Sequence, residues 1–234
     1  MRELSDQTLV VTGACRGIGA ACAHALAAQG ARIIIIDILD PLETFTGLTR
    51  HTKGHLSITA DVSDSGSVHE LFREIDQKAP MITGLVHCAG IIHEKPLMDT
   101  TIEEFDRVIN VNLRGSFLIG QEVLRRLEGR AGRVLLTASD LGVSGRETFS
   151  SYVASKHGVM GLMRSWAKEF GPHIKVNALC PGPIDTDMLG VASMSSEWRA
   201  RELVIPAERF GKPEEVAAMA AFLMGPNANF ITGQ

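Results

Sequence analysis

Short apolar runs alternate along the 234 residues with longer stretches whose apolar residues recur at helical spacing. The runs of strand length are Thr8–Val11, Arg32–Asp37, His55–Ala60, Ile82–His87, Gly132–Ala138 and Ile174–Cys180. Between them the spacing predicts helices over Gly17–Gln29, Asp64–Lys78, Ile102–Leu127, Ser151–Phe170 and Pro213–Met224. A short helix is expected within Pro41–Gly54, ending before Gly54. Pro213 follows Gly211-Lys212 and suits the first turn of a helix, where its missing N–H would have no intrahelical partner. Strands alternating with helices predict an α/β chain built on a parallel sheet with crossover helices.

The sequence carries no low-complexity linker, repeat or break in composition, so residues 1–234 are expected to form one domain. The least regular stretch is Thr186–Ile205, which places Met188, Leu189, Met194 and Trp198 among Ser and Arg. Long irregular segments in compact domains are often functional, and this one is expected to be a substrate lid at about 186–205. The competing reading is a pair of surface helices with buried Met and Trp.

Composition narrows the function by exclusion. Hydrophobic residues make up 45% of the chain and charged ones 21%, values of a globular protein large enough to need no disulfide or metal staple. A formal charge of −4 without a basic stripe makes nucleic acid and anionic membrane poor partners. The four cysteines form no CxxC, and neither the eight histidines nor the carboxylates form a metal-binding pattern. No metal is expected. The polar start MRELSDQ has no signal-peptide character, and the apolar stretch around Ile33–Leu39 is broken by Asp37. A cytoplasmic protein is the expectation.

Two clusters carry chemistry. Gly13, Gly17 and Gly19 fall between the first strand and first helix, where a glycine turn lets the backbone approach a pyrophosphate at the helix N-terminus. Arg16 and Ile18 belong to the same turn. Asp37 ends the second strand, where a carboxylate can hold both hydroxyls of an adenosine ribose and repel a 2′-phosphate. Arg16 argues the other way, but Ile38 supplies no second cation, so NAD is expected over NADP. The second cluster is Tyr152 and Lys156, which share one helix face at i, i+4. Lowering a phenol from pKa about 10 to about 7 requires roughly 4 kcal/mol, which one ammonium at about 4 Å supplies at an effective dielectric of about 20. Such a pair would be a general base near neutral pH.

Thr12–Gly19, Asp61-Val62, Cys88-Ala89-Gly90, Asn112, Ser139, the Tyr152–Lys156 pair and Pro181-Gly182 occur in an order that resembles the short-chain dehydrogenase/reductase family, in its shorter single-domain branch. The resemblance runs from about Thr8 to Gln234, and it departs from the family where Cys88 replaces the usual Asn. It implies a three-layer, doubly wound parallel sheet of the Rossmann type, missing its last edge strand because the VDGG-like segment is not reached.

The family pattern also implies roles. Tyr152 is the general acid/base and also contacts the cofactor, Ser139 orients the substrate oxygen, and Lys156 lowers the Tyr152 pKa and grips the nicotinamide ribose. The Asn112 carbonyl holds a water on the proton path. Asp61 and Val62 meet the adenine, while Ala89 and Gly90 border the cofactor. Pro181, Gly182, Ile184 and Thr186 close over the nicotinamide. Leu141, Val143, Met188, Leu189 and Trp198 are apolar candidates for the substrate wall, with Glu94, Arg146, Glu147 and Arg199 as polar ones. The expected reaction is NAD-dependent interconversion of a secondary alcohol (polyol, sugar or hydroxy acid type) and its ketone. The alternatives are a 3-oxoacyl-thioester (acyl carrier protein) reductase and a non-catalytic nucleotide sensor. A homotetramer or homodimer is implied, with Ile102–Leu127 and Ser151–Phe170 as interface candidates.

Overall fold

The computed structural model describes residues 3–50, 53–79 and 81–234. Its sheet has six strands: β1 (Thr8–Thr12), β2 (Arg32–Asp37), β3 (Leu56–Thr59), β4 (Gly84–His87), β5 (Gly132–Thr137) and β6 (Ile174–Leu179). They run parallel in the order β3-β2-β1-β4-β5-β6. Strand alternation sends Val10, Ile34, Ile36, Leu85 and Val134 to one face, and Leu9, Val11, Ile33, Ile35 and Val86 to the other. The Ile33–Ile36 run is fully buried because helices cover both faces.

The helices are α1 (Gly17–Ala28), α2 (Leu42–Leu48), α3 (Ser65–Lys78), α4 (Ile102–Ile109), α5 (Gly115–Leu127), α6 (Ser150–Phe170), α7 (Ser196–Glu202) and α8 (Pro213–Met224). Helices α1 and α8 pack together on one face, and α3, α5 and α6 cover the other. Local chemistry sets the starts. Asp64 accepts from Ser67 N at 2.7 Å and caps α3. Thr101 and Glu104 form a reciprocal capping box on α4. Pro213 opens α8 as its sequence position implies.

The element order agrees with the sequence reading, and most ends shift by a residue or two. The short helix expected within Pro41–Gly54 spans Leu42–Leu48, and positions 51–52 of that segment lie outside the described residues. The expected single helix Ile102–Leu127 is corrected to α4, a π turn over Asn110–Arg114, and α5. The widened turn coincides with Asn112, whose side chain leaves the helix to bond Ile91. Residues 186–205 hold a 3₁₀ turn at Val191–Ser193 and the short α7, rather than two α-helices. Beyond α8, Gly233 N donates to Val176 O and Ala178 N donates to Gln234 O, each at 2.8 Å, so the last residues lie along the outer side of β6.

β1 and β4 are neighbours, while the chain leaves β1 through α1 to reach β2 on the opposite side. At that reversal the carboxyl ends of β1 and β4 open a crevice, the usual ligand position in open parallel sheets.

Candidate active site

Gly13 and Gly17 adopt positive φ, +63° and +56°. A Cβ on Gly13 would lie 2.7 Å from Ala89 Cα, and one on Gly19 would lie 2.1 Å from Gly13 O. The glycine turn is thus pressed onto the segment after β4 and onto the start of α1. Ile18 packs on the core beneath α1. The Thr12 hydroxyl secures this junction by accepting from Cys88 N and Ala89 N, each at 3.2 Å, and bonding His87 Nδ1 at 2.8 Å. With two amides on its lone pairs, Thr12 must direct its proton to Nδ1, which leaves the ring proton of His87 on Nε2. That atom is buried and has no hydrogen-bond partner among the described residues. Burial pushes His87 down to about 3, and the Lys156 charge adds to the effect.

Asp37 lies at the rim of this turn. Its carboxylate accepts from Cys15 N at 2.9 Å and from Leu39 N at 3.1 Å. Arg16 pairs with Asp187 at 3.7 Å across exposed surface. The Asp61 carboxylate accepts from Ser63 N at 2.8 Å and Ser63 Oγ at 2.7 Å, while buried Val62 abuts Gly115.

The second cluster assembles from three elements. Ser139 follows β5, Tyr152 sits in the first turn of α6, and Lys156 lies one turn later; all three are buried. Ser139 Oγ donates to Asp140 Oδ1 at 2.8 Å and accepts from Leu141 N at 3.2 Å. Lys156 Nζ donates to Thr137 O at 2.8 Å and lies 5.6 Å from the Tyr152 ring centre. Burial brings Lys156 down to about 8, opposed by Cys88 and Cys180. The expected acidified phenol is corrected in this state: burial chiefly, with help from Asp140, holds Tyr152 above its ordinary value, and the nearby Ser139 hydroxyl only partly offsets this. The ammonium is committed to a backbone carbonyl, so the i, i+4 spacing alone does not acidify the phenol.

Asn112 braces the two halves. Its Oδ1 accepts from Ile91 N at 2.8 Å, and its Nδ2 donates to Ile91 O at 2.9 Å and Ser155 Oγ at 3.0 Å. Its own carbonyl accepts from Ser116 Oγ. A Cβ on Gly90 would stand 3.2 Å from Asn112 Oδ1 and 3.5 Å from Lys156 Nζ. Pro181 O accepts from Asp140 N at 3.1 Å, and Ile184 bridges to Gly211. Gly182 comes no nearer to Asp140 Oδ2 than 4.0 Å even with a Cβ added. Thr186 Cγ2 lies 3.2 Å from the Cβ position of Gly17, so the 186 segment reaches the glycine turn.

Among the wall candidates, Arg146 forms a 2.6 Å pair with buried Glu202, and its guanidinium lies 5.1 Å from Phe149 and 5.0 Å from Trp198. Glu147 pairs with Arg201, and Arg199 donates to Val191 O at 2.7 Å. Glu94 accepts from Thr148 at 3.4 Å. Leu141 and Leu189 are partly buried, whereas Val143 and Met188 are exposed. Sequence reasoning gave no role to the Thr12 hydroxyl or to His87 and missed the Arg146–Glu202 pair. Strand alternation could have placed His87 on the buried face with Leu85; the others depend on contacts across the fold. Among the described residues no group of His, Cys, Asp or Glu could hold a metal ion, and no helix is long and apolar enough to cross a membrane.

The family model described as Enoyl-(Acyl carrier protein) reductase matches residues 13–234. A 3-oxoacyl-[acyl-carrier-protein] reductase FabG from Thermotoga maritima is 36% identical, covering 99% of this chain and 96% of that protein. The crystal structure of a levodione reductase superposes with a TM-score of 0.91 at 32% identity, covering 98% and 95% of the two chains. A structure assigned as an NAD(P)-dependent gluconate 5-dehydrogenase from Beutenbergia cavernae, with NADP bound at low occupancy, gives 0.91 at 31% identity, covering 100% and 95%. With the glycine turn, the Ser139–Tyr152–Lys156 cluster and these likenesses together, the chain belongs to the short-chain dehydrogenase/reductase family of oxidoreductases acting on CH–OH groups.

Proposed function

We propose that this protein is a single-domain, NAD-dependent dehydrogenase that interconverts a secondary alcohol and its ketone, with residues 186–205 as the substrate lid. One observation carries the reading: the buried Ser139–Tyr152–Lys156 cluster stands beside a glycine turn that has no room for a Cβ. The residues fit a dinucleotide. Gly13, Gly17, Ile18 and Gly19 offer backbone to a pyrophosphate, with Arg16 at the rim. Asp37 offers carboxylate oxygens to a ribose, and Asp61 and Val62 stand at the adenine end. Ala89, Gly90, Pro181, Gly182, Ile184 and Thr186 border the nicotinamide end. The bound nicotinamide supplies hydride exchange.

The chain supplies position and proton transfer. In the oxidative direction Tyr152 takes the carbinol proton. Ser139 turns its hydroxyl from Asp140 toward the substrate oxygen. Lys156 leaves Thr137 O for the phenol and the ribose hydroxyls, and its charge then stabilises the phenolate. The Asn112 carbonyl is the outward station of the proton path.

NAD is favoured because Asp37 places negative charge at the ribose rim and the nearby Arg16 is already paired with Asp187. The NADP reading draws on the Beutenbergia structure and on a cleft of about 710 Å³, lined in part by Arg16, His24 and Arg50, beside the glycine turn.

A 3-oxoacyl-thioester reductase is the second substrate reading, favoured by the Thermotoga relative. Against it, the arginines around the lid are engaged internally, Arg146 by Glu202, Arg201 by Glu147 and Arg199 by Val191 O, and so offer little to an acidic carrier. A non-catalytic sensor fits poorly with an intact buried catalytic cluster. The protein is proposed to be cytoplasmic and homo-oligomeric, with the exposed Ile102 and Phe117 on the helices expected at the interface.

The test is initial rates on secondary alcohols with NAD or NADP, and on 3-oxoacyl thioesters with the reduced cofactors. Alcohol oxidation preferring NAD, lost in Tyr152→Phe, supports the reading. Thioester reduction preferring reduced NADP would replace it, and tight nucleotide binding with no turnover would favour the sensor.

A further inference from the structure

Four residues before Tyr152 the backbone takes a conformation that its side chain resists. Thr148 has φ +67°, and apart from Glu208 at +51° it is the only non-glycine residue with positive φ among the described residues. A β-branched side chain crowds its own backbone there, so the conformation persists only where the surroundings impose it. Thr148 immediately precedes Phe149, the N-cap of α6. The Phe149 carbonyl accepts from Val153 N at 2.8 Å, and its buried ring meets the Tyr152 ring edge-on at 6.4 Å between centres. The direction in which the chain leaves Thr148 therefore sets the entry of α6 and the seat of Tyr152.

The imposing contacts come from the segment after β4. Lys95 N donates to Thr148 O at 2.7 Å. The Nζ of the same lysine donates to both carboxylate oxygens of Glu104, at 2.8 and 2.9 Å. Glu104 is itself fixed at the start of α4, where its Oε2 accepts from Thr101 N at 2.9 Å. His93 lies between the same elements: its Nε2 is 3.7 Å from Glu104 Oε1, and its Nδ1 is 3.5 Å from Oγ of Ser151, the buried neighbour of Tyr152. Nearer β4, Asn112 holds both the N–H and the carbonyl of Ile91. Residues 91–95 are thus tied down at both ends, and their far end holds the strained turn.

We propose that Glu104 and Lys95 are positioning residues for the oxidoreduction: their ion pair holds residues 91–95 against Thr148, keeps that turn in its strained form and so fixes Tyr152. This role depends on the acid/base reading of Tyr152 given above. Glycine adopts positive φ without crowding, so a glycine at 148 needs no clamp to keep the turn. Loss of the ion pair should therefore matter with threonine at this position and matter little with glycine.

The experiment is steady-state kinetics of Glu104→Gln and Lys95→Met, each alone and each combined with Thr148→Gly, on the full chain. Glu104→Gln keeps an oxygen for Thr101 N, so the cap of α4 survives while the charge is lost. In both single variants kcat is expected to fall about tenfold through misplacement of the base, with KM and nucleotide affinity within about twofold of the parent. Adding Thr148→Gly is expected to restore most of kcat. Tyr152 is the only tyrosine of the chain, so fluorotyrosine labelling gives one fluorine resonance that reports its seat without turnover. That resonance is expected to shift or broaden in the single variants and to return in the double ones. Parent-like kcat and resonance in both single variants would overturn the proposal. So would a loss shared by nucleotide affinity, or one that Thr148→Gly does not rescue, since the pair would then only prop the fold. If the resonance follows the expected pattern while the parent oxidises no alcohol, the clamp stands and the dehydrogenase reading fails.

Discussion

Lys156 Nζ donates to the Thr137 carbonyl at 2.8 Å, so the ammonium of the proposed machinery is anchored to the strand that delivers Ser139. Burial of that ammonium is unfavourable by itself, because its pKa falls from 10.5 to about 8. The depressed folded value means that stability is lost as pH falls from 10.5 to about 8, and below this the penalty is fully present. Lys156→Met is therefore expected to be more stable than the parent at neutral pH, by on the order of 3 kcal/mol. The gain should vanish above about pH 10.5, where the parent lysine is neutral in both states. Denaturant titrations at neutral and high pH check this, and a less stable variant at neutral pH would show that Thr137 compensates the buried charge.

Tyr152→Phe removes the transferable proton and leaves the ring. Turnover is expected to fall by about 10²–10⁴, with nucleotide affinity within about twofold of the parent by titration. A parallel loss of affinity would mean that the hydroxyl holds the nucleotide rather than the substrate proton.

His87 gives the protein an acid-sensitive centre. Its folded pKa of about 3 lies under the unfolded value of 6.5, so falling pH favours the unfolded chain, which takes up the proton first. At about pH 5 this should destabilise the protein by about 2 kcal/mol relative to neutral pH. His87→Asn keeps an acceptor near the Nδ1 position for Thr12 and has no group to titrate. The difference in stability between parent and variant is expected to narrow across that range, measured by urea midpoints at several pH values. A parallel pair of curves would assign the acid sensitivity to other residues.

Much of the fold was legible because periodicity in this chain is a burial signal. Ile33–Ile36 read as a strand and is buried on both faces, and the glycines between β1 and α1 read as a turn and sit where a Cβ would clash. The π turn at Asn110–Arg114 was not legible, since its cause is a pair of bonds from Asn112 to Ile91, outside the helix. The residues of the proposed catalytic cluster were readable as a motif, but their protonation was not. Spacing places Lys156 near Tyr152; only the fold shows its proton donated to Thr137 and the phenol desolvated. Arg146 and Glu202 were invisible as a pair because their positions, 56 residues apart in sequence, meet only when α7 folds onto the loop after Ser139.

That Arg146–Glu202 pair links the proposed lid to the wall of the site at 2.6 Å, with Glu202 only 7% exposed. Removing one member of a buried pair typically costs about 3–5 kcal/mol, because the other charge stays buried. Arg146→Ala also loses the stacking on Phe149 and Trp198. Both Arg146→Ala and Glu202→Gln are expected to speed proteolysis within 186–205 and to raise KM at least several-fold, with nucleotide affinity nearly unchanged. Parent-like cleavage and KM would show that α7 is held by its other contacts.

Asp140 is the remaining influence on the phenol. It takes the Ser139 proton at 2.8 Å and its charge raises the Tyr152 pKa. Both effects oppose alcohol oxidation, since the serine must turn away from Asp140 to meet substrate and the tyrosine must lose its proton. Asp140→Asn removes the charge while keeping a side-chain oxygen for Ser139 and for Leu141 N, which Asp140 also receives at 2.8 Å. Because the carboxylate is exposed, its effect is screened and worth about 1 kcal/mol or less, so a gain of roughly two- to fivefold in kcat/KM is expected below the pH of maximal rate. The gain should shrink as pH rises and Tyr152 ionises in both proteins, and it should weaken at high salt. A rate profile shifted toward lower pH by the substitution would establish Asp140 as a brake on the base. An unshifted profile would leave burial and Ser139 in control of the phenol.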